Sequence, residues 1–233
     1  MARRTGLREQ KKQATRKALR EAALRLALER GPDNVRVDDI AEAAGVSPRT
    51  YNNYFASREQ AIVAAVTAER ESRVAEAVAA RPPSVRLADA VIDAIVEQYT
   101  DPGEEHAAAL LMITTRPALR EAFVDAPASM ELPLAAAIAA RLAARREGGE
   151  AADAARDSGA DRDDAGSDDG DREHTARVLA AAVAAAVRVA IDRWVGRPGA
   201  ASASGLVVPS GSLPGLLRAS LAPLVPALDA AER

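Results

Sequence analysis

A glycine set between two short helical segments constrains this chain more than any other feature of its sequence. From Val37 to Ala44, apolar residues recur at the spacing of a helix that buries one face. Gly45 follows, and glycine adopts the left-handed conformation that ends a helix without a side-chain clash. Ser47 then supplies a cap and Pro48 fits the first turn of a second helix. The segment therefore predicts a helix-turn-helix, which is typical of DNA-binding proteins.

The second helix of this motif is short and polar, and its apolar residues are limited to Tyr51 and Phe55. A capping pattern at Ser57 and Gln60 predicts the start of a third helix directly after it. The polar side chains between the caps are of the types that bond to base edges in a major groove. We predict base contacts by Arg49, Thr50, Asn52 and Asn53.

Three stretches together resemble the TetR family of one-component bacterial transcription regulators. They are IAEAAGVSPRTYNNYF (Ile40–Phe55), SRE (Ser57–Glu59) and the long basic helix that precedes them. The resemblance covers about residues 8–66, and the rest of the chain matches only in length and helical character. Two residues depart from the family pattern, since Arg36 replaces a common Thr and Asn52 replaces a common Tyr. The resemblance implies a regulator, most often a repressor, that binds a palindromic double-stranded DNA operator as a homodimer and responds to a small molecule.

Positive charge is concentrated beside the motif. The first 30 residues carry ten Lys and Arg against three acidic residues, although the whole chain has a net charge of −3. Such a helix is often only a solvated face, but beside this motif it indicates phosphate neutralisation and salt-dependent binding. We predict phosphate contacts by Arg36, Ser47, Tyr54, Arg58, Lys11 and Lys12.

Composition and periodicity predict an all-α protein. Helix formers dominate, aromatic residues make up 3% of the chain, and no window alternates like a strand. We predict a three-helix DNA-binding domain over residues 1–66 and a helical ligand-binding and dimerisation domain over residues 67–233. Residues 147–172 are rich in Gly, Asp, Ala and Arg and contain no large apolar residue, so they predict a disordered acidic loop.

The distal domain is predicted mainly from the resemblance. It implies a pocket for an unknown small-molecule effector among helices of residues 84–146, lined by Tyr99, Met112, Thr115, Arg116, Phe123 and Met130. Two C-terminal segments with apolar stripes resemble the helices by which the family pairs subunits. They predict a homodimer interface that includes Val183, Val187, Ile191, Trp194, Leu217 and Leu221. The alternative is that both helices pack within one subunit.

Several classes of function are not supported by the sequence. The chain has no cysteine, its two histidines have no metal-ligand partner at helical spacing, and it has no phosphate-binding glycine loop or nucleophile elbow. We therefore expect no enzyme activity, no cofactor and no metal. Without a signal-like or membrane-spanning apolar run, we expect a cytoplasmic protein. The remaining alternative is a helix-turn-helix protein that acts mainly through protein-protein contacts or non-specific DNA binding.

Overall fold

The computed structural model describes residues 2–100, 107–154, 165–196 and 212–233, and within these ranges it contains helices and turns but no strand. The all-α prediction is therefore confirmed. Three 3-10 turns, Pro32–Asn34, Ala126–Met130 and Ala222–Leu224, connect some of the helices. The α-helices are α1 (Ala2–Arg30), α2 (Val37–Ala43), α3 (Pro48–Tyr51), α4 (Arg58–Ala80), α5 (Leu87–Thr100), α6 (Ala107–Thr115), α7 (Pro117–Asp125), α8 (Glu131–Ala154), α9 (Ala165–Val195), α10 (Leu213–Leu221) and α11 (Val225–Ala231).

The chain forms two compact units. Unit 1 consists of residues 1–69 and 103–126, and unit 2 consists of residues 70–102 and 127–233. Unit 1 thus contains α1–α3, the first half of α4, α6 and α7, whereas unit 2 contains the rest. In this division α6 and α7 group with the helix-turn-helix and the first stretch of unit 1 ends at residue 69, whereas the prediction placed both helices in the distal domain and the boundary after residue 66.

Unit 1 buries one face of each of its helices. In α1 the first buried side chain is Leu19, and burial then recurs at helical spacing as far as Ala27. The part of α1 described before Leu19 contains no buried side chain. The core of the unit is completed by Ile40, Tyr51, Phe55, Ile62, Ile113, Leu119 and Phe123.

Unit 2 is built around α9, which packs against α8 and α10, while α10 and α11 pack against α5. Arg141 of α8 donates hydrogen bonds to the carbonyl oxygens of Val78, Pro82 and Val85, so it fixes the end of α4 and the turn into α5. The core of this unit includes Val91, Ile95, Leu134, Ile138, Val183, Val187, Ile191, Leu217, Leu221 and Leu228.

The predicted dimer interface needs correction. Five of its six residues are at most 1% exposed within a single chain, and only Trp194 is partly exposed. Because these side chains already fill the space between helices of one subunit, a partner subunit cannot reach them. The buried five are Val183, Val187, Ile191, Leu217 and Leu221. Helical periodicity identified an apolar face correctly, but it cannot tell packing within a chain from packing between chains.

The predicted acidic loop also differs from the structure at both of its ends. Helix α8 continues to Ala154 and α9 begins at Ala165, while residues 155–164 lie outside the described residues. Lack of apolar residues does not stop an anchored helix from continuing, because propagation costs far less than nucleation and Ala, Glu and Arg are good helix formers.

One continuous helical stretch of the described chain, Pro117–Arg146, is long and apolar enough to span a membrane by length and composition alone. That is weak evidence, because a core helix passes the same test. Several of its large apolar residues are buried inside the protein, including Leu119, Phe123, Met130, Leu134 and Ile138, whereas Leu132 is 71% exposed.

Candidate nucleic-acid interface

The turn between α2 and α3 depends on Gly45. Its φ is 69°, in the left-handed region, and no neighbouring atom occupies the space where a Cβ would lie. The N–H of Gly45 donates to the Glu42 carbonyl at 3.0 Å, and the N–H of Val46 donates to the Ala41 carbonyl at 2.9 Å. These bonds satisfy carbonyl groups at the end of α2 and fix the direction in which the chain leaves it.

The start of α3 is held by Ser47, as predicted. Its Oγ accepts a hydrogen bond from the Thr50 N–H at 3.1 Å, and the two hydroxyl groups lie 2.9 Å apart. The α-helix ends at Tyr51, and the chain continues as a hydrogen-bonded turn to Tyr54. The Tyr54 N–H donates to the Tyr51 carbonyl at 2.8 Å, so the turn keeps the chain compact.

Two aromatic residues anchor this helix in the core of unit 1. Tyr51 is fully buried and Phe55 is 2% exposed, with ring centroids 5.9 Å apart. The Tyr51 hydroxyl donates to the Ser57 carbonyl at 2.8 Å, and burial raises its pKa well above the ordinary value. The Arg16 guanidinium lies 5.4 Å from the Phe55 ring centroid, so α1 passes the end of this helix. These contacts make the helix a rigid support.

The predicted base-contacting residues lie on the opposite face. Arg49, Asn52 and Asn53 are all exposed and stand at i, i+3 and i+4, which places them together on one side of the helical turn. Thr50 is half-buried, and its hydroxyl forms a hydrogen bond with the Ser47 hydroxyl. The structure therefore presents three polar side chains to solvent from α3 and the turn that follows it, whose other face is fixed by Tyr51 and Phe55.

The predicted phosphate-contacting residues have different surroundings. Lys11, Lys12 and Arg36 are exposed, Ser47 is exposed at the cap of α3, and Tyr54 is half-buried. Arg36 precedes α2, where its N–H donates to the Asp39 carboxylate at 2.8 Å while its guanidinium stays at the surface.

Arg58 forms its hydrogen bonds within unit 1. Its Nη1 donates to the carbonyl oxygens of Asp33 at 3.2 Å and Val35 at 2.8 Å, and its Nε donates to Glu59 at 2.6 Å. Burial raises the pKa of the Glu59 carboxyl, but the bond from Arg58 and other hydrogen bonds outweigh this and leave it below the ordinary value. Arg58 thus ties the first turn of α4 to the connection between α1 and α2. No sequence pattern indicates this contact.

The predicted cap of α4 is confirmed. The Gln60 N–H donates to the Ser57 Oγ at 3.1 Å, and the Gln60 Oε1 accepts from the Ala56 N–H at 2.8 Å. Both residues satisfy backbone donors that the start of the helix would otherwise leave open. The direction of α4 relative to α3 is therefore fixed by local bonds.

The predicted effector-pocket residues are divided between the two units. In unit 1, Phe123 is buried and Met112 is partly buried, whereas Thr115 and Arg116 are exposed. The Thr115 hydroxyl donates to its own helix, and Arg116 forms an ion pair with Asp33. In unit 2, Tyr99 and Met130 are buried, and the Arg70 guanidinium lies 4.5 Å from the Tyr99 ring centroid.

Unit 2 also has an open groove of about 420 Å³ between α8 and α9. Its floor is a stripe of α8 and its rim carries charged residues of α9, and it contains none of the predicted pocket residues. The residues that line it are Leu132, Ala135, Ala136, Ala139, Arg172, Glu173 and Arg177.

Comparison with known proteins agrees with this geometry. Residues 19–65 match the family model of the bacterial regulatory proteins of the tetR family. Residues 19–65 therefore form a TetR-type domain. The matched residues of this TetR-type domain span the second half of α1, the helix-turn-helix and the start of α4.

Two curated relatives match about a third of the chain. The HTH-type transcriptional regulator TcmR of Streptomyces glaucescens is 40% identical over 70 residues, which are 30% of this chain and 31% of that protein. The HTH-type transcriptional regulator BetI of Rhizobium meliloti (strain 1021) is 40% identical over 76 residues, which are 31% of this chain and 37% of that protein. The likeness thus spans about a third of each relative's length.

Two solved structures resemble the chain over a longer range but loosely. Thermus thermophilus FadR, a TetR family transcriptional repressor in complex with lauroyl-CoA, covers 90% of this chain and 93% of its own at 23% identity, with a TM-score of 0.40. RolR in complex with resorcinol covers 97% of this chain and 96% of its own at 22% identity, with a TM-score of 0.32.

Proposed function

We propose that this protein is a transcriptional regulator that binds a palindromic DNA operator as a homodimer. The observation that carries the proposal is the exposed row of Arg49, Asn52 and Asn53 on a helix anchored by Tyr51 and Phe55 in a TetR-type domain. Direct readout in a major groove requires a rigid helical segment whose polar side chains are exposed to the base edges.

The chemistry of the three side chains fits bases of different kinds. Arginine bonds well to the O6 and N7 of guanine, and asparagine bonds well to the N6 and N7 of adenine. Lys11, Lys12 and Arg36 are exposed cations that would contact phosphates, together with the hydroxyl groups of Ser47 and Tyr54. Arg58 is better explained as an internal clamp, because its described bonds reach two carbonyl groups and Glu59.

The proposed dimer uses the solvent face of α9 in place of the buried one. Val178 and Val189 are 53% and 54% exposed, and the alanines between them on the same side are also exposed. Small side chains let two helices approach closely, and exposed apolar stripes mark interaction surfaces. We assign the interface to a stripe formed by Val178, Ala181, Ala185 and Val189. Pairing also supplies the second half-site that one short recognition helix needs.

The regulator would respond to a small-molecule effector and act as a repressor in the cytoplasm, without enzyme activity. An effector that binds better to the state with unsuitably placed recognition helices would release the operator by population shift.

A binding experiment tests the function directly. Fluorescence anisotropy with duplexes tiled across the gene's upstream region should find one or a few tight sites for the wild-type protein. Arg49→Ala and Asn53→Ala should each weaken binding at such a site by roughly 5- to 150-fold, the effect of removing one base contact. Arg25→Ala is the matched control, because Arg25 is exposed on α1 and pairs with Glu29. Equal affinity for every duplex would favour non-specific binding and contradict the proposal.

A further inference from the structure

Arg120 is a buried cation that the described residues do not neutralise. Its side chain belongs to α7 and is only 9% exposed. Nε and Nη2 donate to the same oxygen, the Thr114 carbonyl, at 3.2 and 2.8 Å. Nη1 is shielded from solvent and has no hydrogen-bond partner in the described part of the chain. No described carboxylate forms an ion pair with this guanidinium.

The environment makes that arrangement costly for the protein alone. The buried face of α7 on which Arg120 lies also carries Leu119 and Phe123, both apolar and nearly inaccessible. Thr114 lies at the end of α6, where the helix dipole supplies roughly half an elementary negative charge. The carbonyl therefore offsets part of the guanidinium charge, and the remainder is largely shielded from solvent.

We propose that Arg120 receives the anionic group, a carboxylate or a phosphate, of the small-molecule effector. A guanidinium binds such groups well, because its N–H donors form a rigid fork that matches two oxygens. The inference rests on the proposed function in one respect, since it supplies the chemical class of the effector of that regulator.

The position of Arg120 links such an anion to the TetR-type domain. Arg116 lies one turn earlier, at the N-cap position of α7. It forms an ion pair with Asp33, which belongs to the turn that precedes α2. The backbone of the same turn is held by Arg58 from α4. All of these residues belong to unit 1, so an anion at Arg120 acts one helical turn from contacts that position the helix-turn-helix.

Thermal unfolding of the full-length protein tests the site with simple probes. Sodium chloride would be replaced by sodium acetate or sodium phosphate at constant ionic strength and pH. Near-saturating anion should raise the wild-type Tm by roughly 2–4 °C, and the anion that acts at lower concentration identifies the preferred class. Arg25→Gln, a change at an exposed arginine of α1, should keep this response. Arg120→Gln, which retains a donor for the Thr114 carbonyl, should lose it, and Arg120→Lys should keep part of it.

Three results would overturn the inference. They are a wild-type Tm that ignores both anions, an Arg120→Gln variant that responds as strongly as the wild type, and an Arg120→Gln variant that unfolds at a much lower Tm in chloride alone. The last result would mean that the chain itself already neutralises Arg120. Duplex binding, measured separately in chloride, distinguishes the two proposals. An anion response without DNA binding would contradict the proposed regulator and support the anion site. DNA binding without an anion response would support the regulator and contradict the anion site.

Discussion

At the scale of single residues, two arginines that were both predicted to contact DNA have different surroundings. Arg49 is exposed, whereas Arg58 donates to the carbonyl oxygens of Asp33 and Val35 and has a side chain only 31% exposed. We predict that Arg58→Ala lowers the free energy of unfolding by about 1–3 kcal/mol, because it removes charged hydrogen bonds to partly buried carbonyls. Urea denaturation would measure the decrease.

The matched control for this clamp is Arg49→Ala. That change should leave the free energy of unfolding within about 0.5 kcal/mol of the wild type, as expected for a surface residue. If Arg58→Ala is equally harmless to stability and instead weakens DNA binding, Arg58 is a phosphate contact and the clamp assignment fails.

Gly45 gives a second prediction at this scale. With a φ of 69° and free space around the missing Cβ, the cost of Gly45→Ala is conformational only, about 1–2 kcal/mol. Gly170→Ala is the control, because Gly170 lies in α9 with open space around it and no positive φ, so alanine there should be neutral or stabilising. Thermal unfolding of both variants would compare them. Equal effects would show that the turn does not require glycine.

Local features were predictable from the sequence and distant ones were not. The turn at Gly45 and the caps at Ser47 and Ser57 involve neighbours within a few residues, so residue type and spacing indicate them. The Arg58–Asp33 bond joins residues 25 apart, and the Arg116–Asp33 pair joins residues 83 apart. Such contacts depend on how whole helices pack, which no local pattern encodes.

At the scale of elements, α1 combines two functions along its length. Its apolar face begins at Leu19, and the described segment before it is an exposed basic surface. We predict that neutralising both lysines in Lys11→Gln/Lys12→Gln reduces the slope of log K against log salt by about 0.9 for each phosphate that the variant no longer neutralises. Titrations at several salt concentrations with a duplex of arbitrary sequence would measure it.

Arg25→Gln is the control for this prediction, since it removes one positive charge from the other end of α1. Its salt slope should equal that of the wild type. An unchanged slope in the double variant would show that the basic end of α1 does not touch the duplex.

Helix α9 shows the limit of periodicity as a predictor. Its apolar face was recognised, but that face packs against α8 and α10 in the same chain. The stripe now assigned to the dimer includes two alanines, whose small side chains do not mark one face of an alanine-rich helix in the sequence. Deciding between the two faces required the positions of the neighbouring helices.

At the scale of the whole molecule, two substitutions on α9 distinguish the proposed dimer interface from the core of each subunit. Ala185→Glu places a charge in the proposed interface and should convert a dimer into a monomer of 24.3 kDa that remains folded. Ile191→Ala removes a fully buried side chain and should cost about 2–5 kcal/mol of stability within each subunit. Light scattering and denaturation would measure the two effects.

Ala79→Glu, a matched change at an exposed position of α4, should leave the dimer intact. A dimer that survives Ala185→Glu would exclude this face of α9 as the interface.

The division of the chain into units also belongs to this scale. The assignment of α6 and α7 to unit 1 could not be predicted, because residues far apart in sequence create that unit.

The central claim is that Arg49, Asn52 and Asn53 of two paired TetR-type domains recognise an operator. Selection of bound duplexes from a fully randomised pool tests it, with the wild type and Arg49→Ala selected in parallel. We expect an inverted-repeat consensus for the wild type and no base preference at one position of each half-site for Arg49→Ala. A pool that stays random, or a consensus that Arg49→Ala leaves unchanged, would contradict this recognition.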